Sequence, residues 1–369
     1  MTDIFSGRLA IQQRVFPFYR MPFFSSLTWN CPAGMELFAG MPRSSEAIET
    51  ADHLDTGRYI QAQNIHLLNG SLYACLQPGF LGWLEKFRPD VLIVEANPRY
   101  LSTPAAVRWM HARNHPVIGW GLGAPPMQGL FSGNRIQTRK KFINQLDAMI
   151  AYSQQGADEY AACGFSTSKI FIAPNSAAFK PLSVPDEKPD NWIGKPQILF
   201  VGRLQARKRL DLLFKACALL PKGTQPEITI VGDGPDREEI EKAAQAAYPG
   251  VIFTGSITGK DLDPFFQKAD LFVLPGTGGL AVQQAMSYGL PVIVATGDGT
   301  QSQLVRPENG WIVAPDNLDD LTKTLQIALS DPLGLRKKGL ESYRIVRDEI
   351  NIEKMVEVFI SAINSVSKL

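Results

Sequence analysis

The sequence predicts an α/β fold of two Rossmann-like parallel-sheet domains, and three observations carry that expectation. Short apolar runs of strand length alternate with helical patterns nearly from end to end, which stacks βα units into parallel sheets with helices on both faces. The alternation collapses once, between Ser176 and Lys195, into Pro181, Pro185, Pro189 and the charged run Asp186–Lys188, a composition suited to a linker. The length of 369 residues also exceeds the range over which one hydrophobic core keeps growing.

In the first half, strands are expected near Leu9–Gln13, Glu36–Ala39, Val91–Val94, Val117–Trp120, Ala148–Ala151 and Ile170–Ala173. Helices fall between them. Leu81–Arg88 carries apolar residues at helical spacing, and Ala105–Asn114 follows Pro104, a favoured first-turn residue. In the second half, strands are expected near Gln197–Val201, Glu227–Val231, Val251–Thr254, Leu271–Leu274, Pro291–Ala295 and Gly310–Val313. The first helix there places Leu210, Leu213, Phe214, Cys217 and Leu220 on one face. A last helix, Ile352 to Val366, has no strand after it and is expected to cross back to the first domain. The expected division is residues 1–176, a linker over 177–195, a second domain over 196–350, and a returning C-terminal helix over 351–369.

Composition excludes several classes. Hydrophobic content of 45% and charged content of 20% are those of a folded protein, not a disordered one. A net charge of +1 gives no case for nucleic-acid binding, although residues 1–180 hold 16 basic against 12 acidic side chains and the remainder 21 against 24. Cys31, Cys75, Cys163 and Cys217 lack metal-ligand spacing in a chain too large to need disulfide staples, which fits a reducing compartment. Arg8, Arg14 and Arg20 interrupt every candidate signal-peptide core, so a cytoplasmic protein is expected. The uncharged tract Leu271–Gly297 runs 27 residues but contains Pro275, Pro291 and several glycines, so a buried strand–loop–helix–strand unit explains it better than a membrane span.

The most informative stretch is Gln197–Asp211, QILFVGRLQARKRLD. A buried strand that stops at Gly202 and hands over to a helix leaves backbone N–H groups in a crevice, and Arg203 and Lys208 beside them favour a diphosphate. Either cation taken alone is more commonly a solvated loop charge. Competing metal patterns have simpler readings. Asp261-Leu-Asp263 precedes Pro264 and an apolar helical pattern, so Asp263 is expected to be an N-cap. His111 and His115 lack the glutamate of a zinc-protease helix and read as surface residues. Gly232-Asp-Gly-Pro reads as a tight turn into a helix starting at Pro235. No metal site is expected.

Several segments of the second half occur together in a recognisable order: Phe200-Val-Gly-Arg-Leu with Lys208, Ile228-Thr-Ile-Val-Gly-Asp-Gly-Pro, Val251-Ile-Phe-Thr-Gly-Ser, Ala269-Asp-Leu-Phe-Val-Leu-Pro, Gly279-Leu, Gln284-Ala-Met, Gly289-Leu-Pro-Val-Ile and Asn309-Gly-Trp-Ile-Val. In that order they resemble glycosyltransferase family 4, retaining enzymes of the GT-B architecture in which two Rossmann-like domains face a cleft. The resemblance covers about residues 197–320, and Met149-Ile-Ala-Tyr-Ser through Pro174-Asn175 extends it faintly into the first half. Two departures stand out. The family's two signature glutamates, eight positions apart, fall on Gly276 and Gln284, and the histidine common after the strand ending Gly119-Trp-Gly-Leu-Gly is missing.

The resemblance implies transfer of a sugar from a UDP- or GDP-type nucleotide sugar, with no cofactor, to a glycan or lipid-linked acceptor in polysaccharide or glycolipid assembly. Arg203 and Lys208 would act on the leaving diphosphate. Gly202, Gly232, Ser256, Ile257, Thr277, Gly278, Gly279, Leu280 and Gln284 would hold the donor, the Gln284 carbonyl replacing a carboxylate at the ribose. Tyr19, Arg20 and Asn97 would meet the acceptor. The aromatic run Val15–Phe24, with Arg20 and the cluster Arg135, Arg139, Lys140 and Lys141, reads equally as core plus solvated charge or as peripheral contact with the inner face of a membrane. A sugar-nucleotide 2-epimerase and a non-catalytic nucleotide-sugar-binding relative are the rival readings.

Overall fold

The computed structural model describes residues 3–46, 48–126, 132–278, 280–297 and 301–367. The chain divides into two compact units. One comprises Met1–Asn175 with Ile352–Leu369, the other Ser176–Asn351.

The first unit is built on seven parallel strands: β1 (Leu9–Val15), β2 (Met35–Gly40), β3 (Arg58–Ala62), β4 (Val91–Glu95), β5 (Val117–Gly121), β6 (Ala148–Ala151) and β7 (Ile170–Ile172). Their order is β3-β2-β1-β4-β5-β6-β7, so the winding reverses between β1 and β4. The register sets Leu9 opposite both Met35 and Val91. Six of these strands coincide with the expected apolar runs. β3 does not, because Arg58-Tyr-Ile-Gln-Ala is an edge strand in which only Ala62 is buried, so it carries no buried run. A small hairpin, Ile65–Leu67 with Ala74–Leu76, is likewise additional.

The helix Ile352–Val366 closes this unit, with Ile352, Met355, Phe359, Ile360 and Ile363 buried in its core. Phe359 packs edge-on against Phe23 at 4.8 Å and against Trp120 at 4.9 Å between ring centroids. Substituting Phe359→Leu removes both aromatic contacts and is expected to cost about 1–2 kcal/mol, read as a lowered urea midpoint. An unchanged midpoint would mean that the helix does not depend on this anchor.

The second unit carries β8 (Gln197–Val201), β9 (Glu227–Val231), β10 (Ile252–Gly255), β11 (Leu271–Leu274), β12 (Val292–Ala295) and β13 (Gly310–Val313). Its sheet order is β10-β9-β8-β11-β12-β13, the dinucleotide-fold order, with the reversal between β8 and β11. The tract Leu271–Gly297 forms β11, the helix Ala281–Ser287 and β12. Among the described residues no helix is long and apolar enough to cross a membrane. Residues 176–195 lie along this unit: Lys188 Nζ donates to the Ala269 carbonyl, and Trp192 Nε1 donates to that of Leu329 at 3.1 Å. The helix expected from Pro235 starts at Arg237.

Candidate functional site

Open α/β sheets bind ligands outside the carboxyl ends of their strands where the winding reverses. In the second unit that position is occupied by glycines. Gly202, Gly232 and Gly255 end or follow β8, β9 and β10. Gly202 N donates to Val231 O at 3.0 Å, and Gly232 N donates to Gly255 O at 2.8 Å. Gly232 has φ 142°, and a Cβ there would lie 2.0 Å from the Gly202 carbonyl oxygen, so only glycine lets the strand ends approach this closely. Ser256, next in the chain, is exposed, while Ile257 packs against the unit's core.

The loop from Gly202 folds back on itself. Leu204 is buried and donates its N–H to Asp233 O at 2.9 Å, Ala206 N donates to Asp236 Oδ2 at 2.7 Å, and a 3₁₀ turn spans Ala206–Lys208. Arg203 sits exposed on this loop. Lys208 is 6% exposed, and its Nζ donates to Thr277 O at 2.8 Å. Burial, with a smaller contribution from Arg207, lowers its pKa to about 8. The partner segment Pro275–Gly278 follows β11 and closes on the same turn, Thr277 N donating to Arg207 O at 3.1 Å. The Cβ positions of Gly276 and Gly278 measure the fit. At Gly276 a Cβ would lie 2.1 Å from Arg207 O, and at Gly278 it would lie 3.3 Å from both Arg207 Nη1 and Lys208 Nζ.

Two cations therefore converge at Gly278, and one of them, Arg207, is not among the residues singled out from the sequence. Arg209 takes the left-handed conformation, φ 53°, and pairs with Asp211 and Asp316, so it adds no third cation here. Leu280 precedes the helix Ala281–Ser287, and Gly279 lies outside the described residues. Gln284 lines a different cavity of about 580 Å³ along residues 177–188, whose lining does not include Lys208. Its neighbour Gln283 is buried and bonds Ser176 Oγ, the N–H groups of Ala177 and Ala178, and Ile350 O.

The first unit has its own cavity, of about 680 Å³, at the carboxyl ends of β1, β4, β5 and β6, again where the winding reverses. Tyr19, Arg20 and Asn97 all line it. The Arg20 guanidinium lies 4.4 Å above the Trp120 ring, and its Nη2 donates to Tyr152 Oη at 2.7 Å. Glu95 Oε1 accepts from Arg14 N at 2.9 Å, and burial raises its carboxyl pKa. Asn97 Oδ1 accepts from Arg99 N at 3.1 Å.

Other titratable groups have structural explanations. His111 Nε2 pairs with Asp147 Oδ2 at 2.9 Å. Asp263 is the first residue of the helix Asp263–Lys268, not its N-cap. Its Oδ1 accepts from Tyr288 Oη at 2.5 Å, and Leu262 occupies the cap position. Among the described residues no group of three or more His, Cys, Asp or Glu side chains could hold a metal ion.

Comparison with known proteins places this geometry. Residues 186–343 match the family "Glycosyl transferases group 1". A sulfoquinovosyl transferase of Arabidopsis thaliana is 34% identical over 37% of this chain and 27% of its own. A GDP-mannose-dependent alpha-mannosyltransferase of Mycolicibacterium smegmatis is 26% identical over 66% of this chain and 65% of its own. This chain thus spans less than two thirds of those relatives. Among solved structures, Anabaena HepE in complex with UDP superposes with a TM-score of 0.72 at 14% identity, covering 97% of this chain and 99% of that one. A lipopolysaccharide outer core galactosyltransferase, WaaB, superposes at 0.68 and 19% identity, covering 97% and 99%. The two Rossmann-like parallel-sheet units are those of the GT-B fold, and the family match lies within residues 186–343 of the second unit.

Proposed function

We propose that this protein is a glycosyltransferase that moves a sugar from a UDP- or GDP-type nucleotide sugar to a glycan or lipid-linked acceptor, with retention of configuration. The second unit takes the donor and the first the acceptor. The observation that carries this reading is the convergence of Lys208 Nζ and Arg207 Nη1 at Gly278, where the bonding partner of the Lys208 ammonium is a carbonyl and not a carboxylate. A buried cation so placed is predisposed to a polyanion. In the reaction the anomeric C–O bond breaks and its electron pair passes to the departing phosphate oxygen, where positive charge is worth most. The acceptor hydroxyl oxygen bonds to the anomeric carbon, and its proton passes to that same phosphate oxygen. Arg203, on the loop that opens the unit, adds charge to the diphosphate. The protein is read as cytoplasmic, with peripheral contact at the inner face of a membrane where the acceptor is lipid-linked.

Nucleotide release from UDP-, GDP- and dTDP-sugars tests the reading. One donor class is expected to turn over, and Arg203→Ala to lower kcat/KM by roughly 10²-fold. Release of no nucleotide from any donor would sink the assignment. Appearance of a C2-inverted nucleotide sugar would replace it with an epimerase.

A further inference from the structure

The cavity of the first unit is lined by two residues with donors that the described residues leave unmatched. Arg20 is 7% exposed and Trp120 1% exposed, and both line the cavity. Arg20 Nη1 and Trp120 Nε1 are buried without a hydrogen-bond partner among the described residues. A buried guanidinium N–H and an indole N–H accept nothing, so the atom that satisfies them is an acceptor, and an anionic one gains most. The charge around them has the same sign: Arg20, Arg99 and Arg139 line the cavity against Glu95, while Arg14, also in the lining, is paired with Glu46 at 2.8 Å. Glu95 is already turned to the backbone N–H of Arg14, and burial favours its neutral form. Tyr19, Tyr100, Tyr152 and Tyr160 complete the wall, supplying ring faces and hydroxyls of the kind that seat a sugar.

We infer that this cavity selects a sugar bearing an oxyanion, a phosphate ester or a uronate carboxylate, whose anionic oxygens meet Arg20 Nη1 and Trp120 Nε1. The inference rests on the reading of the first unit as the acceptor side and narrows it to a chemical class. The arrangement resists casual substitution. Arg20 is held in place by Tyr152 Oη on one side and the Trp120 ring beneath, and the Trp120 ring is backed by Phe359. The guanidinium is thus fixed before a ligand arrives, which reduces the ordering cost of binding.

Calorimetric titration of the full chain, without donor, with glucose 6-phosphate, glucuronate and glucose tests the inference. At least one charged sugar is expected to bind about tenfold or more tighter than glucose, the scale of one charge-assisted hydrogen bond. Which of the two binds tighter tells phosphate from carboxylate. Arg20→Lys, which keeps charge but loses the planar fork, is expected to erase most of the preference. Trp120→Phe, which keeps the ring and loses only the N–H, is expected to reduce it a few-fold while the urea midpoint stays near that of the parent. Equal affinity for charged and neutral sugars, or no binding of either charged sugar, would overturn the inference even if neutral acceptors are glycosylated. Conversely, tight Arg20-dependent binding of a charged sugar that no donor ever glycosylates would leave the oxyanion site standing and remove the acceptor reading.

Discussion

Placing a glutamate at position 276, where the resembling family has one, is expected to abolish transfer instead of improving it. The Gly276 Cβ position is 2.1 Å from Arg207 O, 2.5 Å from the Lys208 carbonyl carbon and 2.6 Å from Lys208 Cα. All three atoms are backbone, so no rotamer change relieves the overlap. The turn Ala206–Lys208 must retreat, taking Lys208 Nζ away from Thr277 O. Gly276→Glu should cost above ~3 kcal/mol, the range of severe overpacking, and lower kcat/KM by at least ~10²-fold as the cations lose their positions. Gly276→Ala, which meets the same three atoms with a single methyl, should lose most of that stability too. A Gly276→Glu protein as stable and active as the parent would show that the loop was never packed on this glycine.

The second large effect has opposite signs for stability and activity. The Lys208 pKa falls from 10.5 to about 8 on folding, chiefly through burial, so its ammonium is a folding liability. A group whose folded pKa is lowered weakens the fold fully below the folded value, and the penalty fades as pH climbs towards the unfolded value. The window is therefore about pH 8 to 10.5. That shift corresponds to roughly 3 kcal/mol at neutral pH. Lys208→Met keeps the aliphatic stem and removes the charge. It should stabilise the free protein by about 1–3 kcal/mol in urea denaturation at pH 7, a gain that shrinks by pH 10. Transfer should fall by roughly 10²–10³-fold. A diphosphate donor should also draw a proton onto Lys208 near pH 8, seen as buffer-dependent binding enthalpy in the parent and absent in Lys208→Met. A variant that loses stability at neutral pH would contradict the liability.

Most of the two sheets was legible in the sequence because parallel strands are buried on both faces and read as continuous apolar runs, as in Leu271–Leu274 and Val292–Ala295. What was not legible depended on neighbours remote in the chain. The edge strand Arg58–Ala62 has no buried run to betray it. In Arg207-Lys208-Arg209 the three cations look alike, and only the fold sends Arg209 to Asp211 and Asp316 and the other two towards Gly278. Gln283 and Gln284 stand about 100° apart on one helix. The family pattern points to Gln284, yet Gln283 is the buried one, bonding Ser176 and Ile350. Gly276 was visible as a departure from the pattern, but its reason lies in the backbone of residues 207 and 208. Asp263 was misread because a capping motif and a partner for Tyr288 use the same carboxylate.

The return of residues 352–366 to the first unit has a consequence for how the chain is made. Translation delivers every strand of β1 to β7 long before it delivers Phe359, so the nascent first unit waits with Phe23 and Trp120 uncovered while the whole of Ser176–Asn351 emerges and acquires its own core. The later-encoded unit can finish first, and the wall behind Arg20 is sealed only once residues 352–366 have been made.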